Sequence, residues 1–182
     1  RLPMGDQDLA MARPNFKDDP VAHALFVTLT DTGARLSEIT GLEVQDVDLQ
    51  ERSITIRPNS IRTLKTKGSQ RTLPLSQSAL EVLQEHRRGK GDTQPIFEDY
   101  ARPRGRDAAS AMLMKRLRRS ITDKKLTMHS LRHRMKDKLR NTGCPEAISL
   151  AILGHSTNTV AANYGSGYAL EVMREHLDKT WT

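Results

Sequence analysis

Apolar residues recur along most of this chain at the spacing of one helix face. The clearest predicted helix begins at Pro20, with Asp19 as its N-cap, and ends at Gly33. Further helices are predicted over "LSEITGL", "SQSALEVLQEHRR", "AASAMLMKRLRRS", residues 128–141, "PEAISLAIL", "STNTVAANY" and "YALEVMREHL". The pattern therefore predicts a mostly helical protein.

One region changes to the period of a strand. Ile54 and Ile56, then Leu73 and Leu75, alternate with polar neighbours around the turn signals "RPNS" and "KGSQ". Pro74 lies inside the last run, so that strand should be an edge strand or end there. The predicted fold class is α+β, mostly α: a compact helical domain with a small three-stranded antiparallel sheet.

The length of 182 residues suits one domain with a well-buried core. Residues 1–18 carry Pro3, Gly5 and Pro14 with little periodicity, and we predict a linker there that leads into a domain at 19–182.

The composition favours an anionic partner. Lys and Arg number 29 against 22 Asp and Glu, which gives a formal charge of +7 and a pI near 9.8. The single cysteine, Cys144, excludes an internal disulfide. We find no apolar run long enough for a membrane span, so we expect no membrane partner and a cytoplasmic location in a bacterial or phage-infected cell.

The densest cluster of cations is "HSLRHR". His129 and His133 are four residues apart and could face one zinc ion. The helical zinc-hydrolase motif has a Glu directly after its first His, however, and Ser130 stands there. Arg132 and Arg134 would also repel a dication. We therefore predict no metal.

Phosphate binding explains this motif better. His129 and Arg132 are spaced i, i+3 on a helix, and a guanidinium can bind two phosphate oxygens at once. Downstream, "LGHSTNTVAANYG" places His155 after a helix stop and Tyr164 nine residues later, before a glycine-containing hinge. A tyrosine there could be a nucleophile, with Tyr168 as the less favoured rival.

Four motifs resemble those of one family. "TGARLSE", a hairpin bearing "KTKGSQRTLPL", "HSLRH", and "LGHS" followed by "NYG" match in order and approximate spacing the catalytic domain of the tyrosine recombinases, the phage-type integrases and their relatives. The similarity covers roughly residues 20–178. Each motif alone is a weak match, but four in this order are specific.

The resemblance implies a role for each matching residue. Arg35 corresponds to the first active-site arginine, His129 and Arg132 to the His-x-x-Arg pair, His155 to the later histidine and Tyr164 to the nucleophile.

The lysine of the family falls in the hairpin turn, where Lys65 is our preferred candidate and Lys67 the alternative. Glu38 could orient Arg35 through an ion pair, although an exposed helix carboxylate would look the same in sequence.

The implied chemistry needs no metal or nucleotide cofactor. Tyr164 attacks a DNA phosphate, forming a 3′-phosphotyrosyl link and a free 5′-hydroxyl. The two arginines and His155 stabilise the charge that develops on the phosphate. Lys65 protonates the leaving oxygen, and His129 moves the tyrosine proton.

The implied partner is double-stranded DNA, bound by a homo-tetramer on recombination sites. We expect the isolated domain to be monomeric. We also expect that the N-terminal DNA-binding domains of the full-length protein are absent from this chain. Six basic residues are predicted DNA-backbone contacts: Arg102, Arg104, Arg106, Arg116, Arg118 and Arg119. The resemblance implies a site-specific recombinase for integration or excision of a phage or other mobile element, with a resolvase or conjugative-transposon recombinase as the runner-up that these motifs do not separate from it. A non-catalytic DNA-binding module of the same fold is the alternative, and a metal-dependent hydrolase is the third hypothesis.

Overall fold

A computed structural model describes residues 2–62, 70–155 and 167–181. The α-helices in these ranges are α1 (Asp6–Ala12), α2 (Pro20–Thr32), α3 (Leu36–Thr40), α4 (Gln77–Arg87), α5 (Gly105–Leu117), α6 (Ser130–Asn141), α7 (Glu146–Leu153) and α8 (Leu170–Trp181). The strands are β1 (Val47–Asp48), β2 (Ser53–Ile56) and β3 (Arg71–Pro74). Short 3-10 helices cover Arg13–Phe16, Val44–Asp46 and Glu98–Tyr100. The helix predicted over "STNTVAANY" lies outside the described residues.

Helix α2 is the centre of the domain. Its N-cap and stop are as predicted: Asp19 Oδ1 accepts a hydrogen bond from the Ala22 amide at 2.9 Å, and Gly33 ends the helix with φ +63°. The sequence suggested one apolar face, but α2 is buried on nearly all sides, because α3, α4, α6 and α8 all pack against it. Its position fixes where the following turn places Arg35.

The three strands form an antiparallel sheet in the order β1-β2-β3. Strand β3 is an edge strand and ends at Pro74, as predicted, because proline has no amide proton to continue the ladder. Strand β1 has only two residues and pairs Val47 with Ile54. The sequence predicts three strands, but it did not place one at residues 47 and 48, because two residues cannot show an alternating pattern.

The first residues are more ordered than the sequence pattern indicated. Helix α1 and the 3-10 helix after it bury Met4, Leu9, Ala12 and Phe16. The Phe16 ring stacks on Phe26 of α2 with ring centroids 4.1 Å apart. Pro and Gly between these apolar positions hid their spacing, so the segment predicted as a linker in fact packs on the domain.

Helix α8 packs on the domain of its own chain, against β3, α6 and α2. Met173 and Leu177 are buried, and the Trp181 indole donates a hydrogen bond to the Asp31 carbonyl at 2.7 Å. The Lys138 ammonium also donates to the Thr180 carbonyl at 2.9 Å. No helix in the described ranges has the length and apolarity needed to cross a membrane.

Candidate active site

Arg35 is positioned by the tight turn between α2 and α3. Gly33 has φ +63°, and a Cβ there would lie 2.7 Å from the Cβ of Met135, so this turn requires glycine. Arg35 itself is the N-cap of α3, and its amide donates to Glu38 Oε2 at 2.7 Å. The Glu38 carboxylate thereby takes up the free amide at the helix start.

Arg132 projects from the first turn of α6 into the interior. It is 5% exposed and donates to the Gly33 carbonyl at 2.9 Å and to the Leu153 carbonyl. Burial, and then the positive charges of Arg35 and Arg71, lower its pKa from 12.5 to about 10. Within the described ranges, carboxylates form ion pairs with other arginines of the site but not with Arg132.

The end of α7 brings three arginines together. The last carbonyls of a helix have no partner within it and carry the negative end of the helix dipole. Three consecutive carbonyls each accept from a different arginine: Ile152 from Arg71 Nε at 2.8 Å, Leu153 from Arg132 Nη2, and Gly154 from Arg35 Nη2 at 3.3 Å. One helix terminus therefore sets the positions of side chains that are far apart in sequence.

Glu38 lies between two of these arginines. Its Oε1 accepts from Arg35 at 2.9 Å and from Arg71 at 3.1 Å, and its Oε2 accepts from Arg71 at 3.0 Å. Burial alone would raise the pKa of Glu38, but Arg71 and Arg35 outweigh burial and hold that pKa below its ordinary value. We call Arg35, Glu38, Arg71 and Arg132 the α7-end cluster; its three guanidiniums and one carboxylate carry a formal charge of +2.

His155 is the second residue after the end of α7, next to Gly154 in the sequence. Gly154 takes the left-handed conformation with φ +61°, and the His155 amide then donates back to the Leu150 carbonyl at 2.9 Å. Burial, and then the charges of Arg132 and Arg35, lower the pKa of the half-buried imidazole below its ordinary value. His155 is therefore neutral at neutral pH, and one ring nitrogen can donate a hydrogen bond.

His129 lies immediately before α6, and its ring meets that of His133 edge to face with centroids 5.0 Å apart. The described ranges contain no group of three or more histidine, cysteine or acidic side chains placed to hold a metal ion. The predicted lysines Lys65 and Lys67 and the predicted nucleophile Tyr164 lie outside the described residues.

Arg71 is a site residue that the sequence reasoning missed. Its side chain is only 7% exposed although it is charged. The signal was present in "RTLPL": residues 71, 73 and 75 of a strand point to one face, and Leu73 and Leu75 are fully buried. An arginine on the apolar face of a strand indicates a buried partner.

Three of the predicted DNA-backbone contacts have partners inside the chain. Arg116 pairs with Asp18 and Asp19, and Arg119 pairs with Asp18. Arg118 donates to three backbone carbonyls, those of residues 121, 123 and 126.

The other three predicted contacts, Arg102, Arg104 and Arg106, line an open groove beside α3 and the start of α5. Arg102 donates to the Asp99 carbonyl at 2.9 Å, and Arg106 pairs with Asp107 on the surface.

The comparison of this sequence with family models decides its family. The model described as the phage integrase family matches residues 8–169. The chain belongs to the phage integrase family. A tyrosine recombinase XerD of Corynebacterium glutamicum is 30% identical over 148 residues, which cover 78% of this chain and 46% of that protein. The tyrosine recombinase XerA of Pyrococcus furiosus is 24% identical over 81% of this chain and 51% of that protein. The chain thus spans about half the length of the curated relatives it matches.

Solved structures confirm the predicted fold. The crystal structure of XerA recombinase matches with a TM-score of 0.69 and 22% identity, over 98% of this chain and 63% of that one. The integrase of mycobacterium phage Brujita gives a TM-score of 0.74 at 20% identity, over 99% and 58%. The Tn1549 transposon integrase in complex with circular intermediate DNA gives 0.67 at 20% identity, over 98% and 66%. At these identities the likeness establishes the fold.

Proposed function

We propose that this chain is the catalytic part of a site-specific recombinase that cleaves and rejoins double-stranded DNA through a 3′-phosphotyrosyl intermediate. The observation that carries the proposal is the α7-end cluster, which has a formal charge of +2 and lies near the His155 imidazole. Excess positive charge at a partly buried site is stabilised by an anion, and a DNA phosphate is the anion that the family handles.

The exposed part of the cluster suits a phosphodiester. The Arg35 side chain is 32% exposed, whereas Arg132 is 5% exposed. Arg35 can therefore contact the phosphate from the solvent side, and Arg132 from the side of the protein interior. Neutral His155 can donate a further hydrogen bond to a non-bridging oxygen. These donors match the positions where negative charge develops in phosphoryl transfer.

Tyr164 is the proposed nucleophile. Its hydroxyl oxygen bonds to phosphorus, the bond from phosphorus to the 5′-oxygen breaks, and the 5′-oxygen takes a proton from Lys65, with Lys67 as the alternative. His129 accepts the proton from the tyrosine. One phosphodiester is exchanged for another, so the reaction needs no external energy source.

The proposal extends to partners and role. DNA binding is supported by the Tn1549 transposon integrase, whose structure was solved in complex with DNA. The groove lined by Arg102, Arg104 and Arg106 is the proposed contact surface for the DNA backbone. A homo-tetramer on the recombination site, a cytoplasmic location, and integration or excision of a phage or other mobile element remain predictions.

The test uses a duplex library randomised on both sides of a single 5′-bridging phosphorothiolate, incubated with this chain in chelator. The sulfur leaves as a thiolate that rejoins poorly, so the protein–DNA adduct accumulates and can be captured under denaturing conditions and sequenced. We expect an adduct with the wild type and none with Tyr164→Phe. Tyr168→Phe is the matched control and should form the adduct.

A DNA-binding module without catalysis is the alternative function. It predicts retention of duplex DNA by the wild-type chain without any adduct. That result would contradict the proposed function, and an adduct that disappears in chelator would favour metal-dependent chemistry instead.

A further inference from the structure

We propose that Arg71 is a positioning residue for DNA cleavage, which holds Glu38 and the end of α7 in the arrangement that Arg35 needs. This inference rests on the proposed function. Nε, Nη1 and Nη2 of Arg71 all donate to Glu38 or to the end of α7, so we infer that it acts through these neighbours.

All three sides of the Arg71 guanidinium are used. Nη1 and Nη2 of Arg71 donate to the two oxygens of Glu38 at 3.1 and 3.0 Å, and Nε donates to the Ile152 carbonyl at 2.8 Å. This fork binds the carboxylate and the helix terminus at once, which the single ammonium of a lysine cannot do. Strand β3 is thereby attached to α3 and α7 by one side chain.

Arg35 also depends on Glu38 and on the end of α7. Arg35 donates to Glu38 Oε1 at 2.9 Å and to the Gly154 carbonyl at 3.3 Å. If Arg71 is removed, Glu38 keeps one cation partner and loses its fixed orientation. Because Arg35 bonds to Glu38, we expect the Arg35 side chain to lose its position when the orientation of Glu38 is lost, although Arg35 itself has not been substituted.

Arg71 approaches Gly154 closely. A Cβ at Gly154 would lie 2.6 Å from Cζ of Arg71, so only glycine leaves room for this guanidinium. Gly154→Ala should therefore displace Arg71 without altering it. Gly143 offers a matched control, because it also has a positive φ, of +76°, but a Cβ there would meet nothing within 4 Å.

The first experiment measures single-turnover cleavage of the phosphorothiolate duplex at saturating DNA. Arg71→Gln should lower the rate on the order of 100-fold, the effect expected of a misplaced catalytic group, while the Kd for DNA stays unchanged. Arg71→Lys should recover part of the rate because it restores the charge but not the fork. Gly154→Ala should resemble Arg71→Gln, and Gly143→Ala should resemble the wild type.

Arg134→Gln is the control for loss of a buried arginine as such. Arg134 is 11% exposed and also bonds to a carboxylate and a backbone carbonyl, those of Asp6 and Met4, away from the α7-end cluster. It should lower the unfolding midpoint without changing the cleavage rate. Equal rates for Arg71→Gln and Arg134→Gln would overturn the inference.

The pH profile separates positioning from a general loss of structure. Among the described residues, the charged groups that face Glu38 are Arg35 at the start of α3, Arg62, Arg71 of β3, and Arg132 of α6. His155 lies beyond them. Without Arg71, burial raises the pKa of Glu38, so the acid limb of the cleavage profile should move to higher pH in Arg71→Gln but not in Arg71→Lys. Identical limbs would contradict the positioning role.

A second readout needs no DNA. Inorganic phosphate should raise the unfolding midpoint of the wild type and of Arg134→Gln, and raise it less in Arg71→Gln. If the wild type forms no adduct, the proposed function fails, and this readout still decides the inference. An equal phosphate effect in Arg71→Gln and Arg134→Gln would then overturn it.

Discussion

Two groups of arginines lie at helix C-termini in this protein, and they differ in their counter-charges. At the end of α5, Arg116 and Arg119 pair with Asp18 and Asp19, and we call this group with Arg118 the α5-end cluster. At the end of α7, three arginines share the single carboxylate of Glu38. The three arginines of the α5-end cluster face two aspartates, which leaves a formal charge of +1, whereas the α7-end cluster carries a formal charge of +2.

The difference shows how to recognise a binding site among many cations. The α5-end cluster connects the segment before α2 to α5, so Arg116 and Arg119 already have anionic partners in the folded chain, and Arg118 is held by backbone carbonyls. The α7-end cluster orients its arginines with neutral backbone carbonyls and keeps much of their charge available. Orientation by carbonyls without neutralisation is what a phosphate site requires.

The largest effect should come from the proposed proton donor, which belongs to neither cluster, since positive charge alone does not complete the reaction. Lys65→Ala should slow cleavage of an ordinary duplex by about 100- to 10 000-fold, the range for general acid catalysis. A 5′-bridging sulfur should restore the rate, because a thiolate leaves without protonation. Lys67→Ala is the matched control and should cleave the ordinary duplex at the wild-type rate. If the sulfur rescued Lys67→Ala but not Lys65→Ala, Lys67 would be the proton donor in place of Lys65.

The clusters should also differ in their response to a small anion. At constant ionic strength, phosphate at ten times its Kd should stabilise the wild type by about 1.4 kcal/mol. We expect Arg35→Gln to lose this gain and Arg116→Gln to keep it, although Arg116→Gln should start from a lower unfolding midpoint. Thermal unfolding measures both, and an equal gain in the two variants would remove the distinction between the clusters.

A smaller effect concerns His155. Burial lowers the pKa of His155 in the folded state, and the charges of Arg132 and Arg35 lower this pKa further. The unfolded chain therefore takes up the proton first on acidification, so this residue's contribution makes the fold less stable as the pH falls below about 6.5. Bound phosphate should raise the pKa by offsetting the arginines, as should Arg35→Gln. Ring NMR titration checks this, with Arg116→Gln as the variant that should leave the pKa unchanged.

The smallest effect is expected for DNA binding by the α5-end cluster. The sequence predicts that Arg116, Arg118 and Arg119 bind DNA phosphates, and removing each such arginine would then reduce the salt slope by about 0.9. Their partners within the chain predict an unchanged slope and a lower unfolding midpoint. Binding isotherms of the triple Gln variant across a salt series compare the two, and a flatter slope would support DNA binding by this cluster and weaken our comparison.

Local features of the sequence predicted much of the fold. Asp19 caps α2, with its carboxylate accepting from the Ala22 amide at 2.9 Å, and Pro74 ends β3, both as predicted. These signals act over a few residues, so one sequence is enough to read them. The burial of α2 on all sides was missed because it depends on helices that are distant in sequence.

The position of the candidate site could be predicted where a motif carried it, and the roles of its residues stay predictions. Arg35, Arg132 and His155 came from the resemblance, and the structure places all three at the end of α7. Arg71 was missed because its partners, Glu38 and Ile152, are 33 and 81 positions away. The ion pairs of the α5-end cluster were missed for the same reason, since they join residues about 100 positions apart.

The central claim is that the excess charge at the end of α7 acts on the scissile phosphate. Its most direct test is single-turnover cleavage of the 5′-bridging phosphorothiolate duplex, at saturating DNA and in chelator, by Arg132→Gln beside Arg134→Gln on the same helix. Our account predicts a loss of about 100- to 1000-fold for Arg132→Gln, with DNA still bound, and a wild-type rate for Arg134→Gln. Equal rates for the two variants would contradict it.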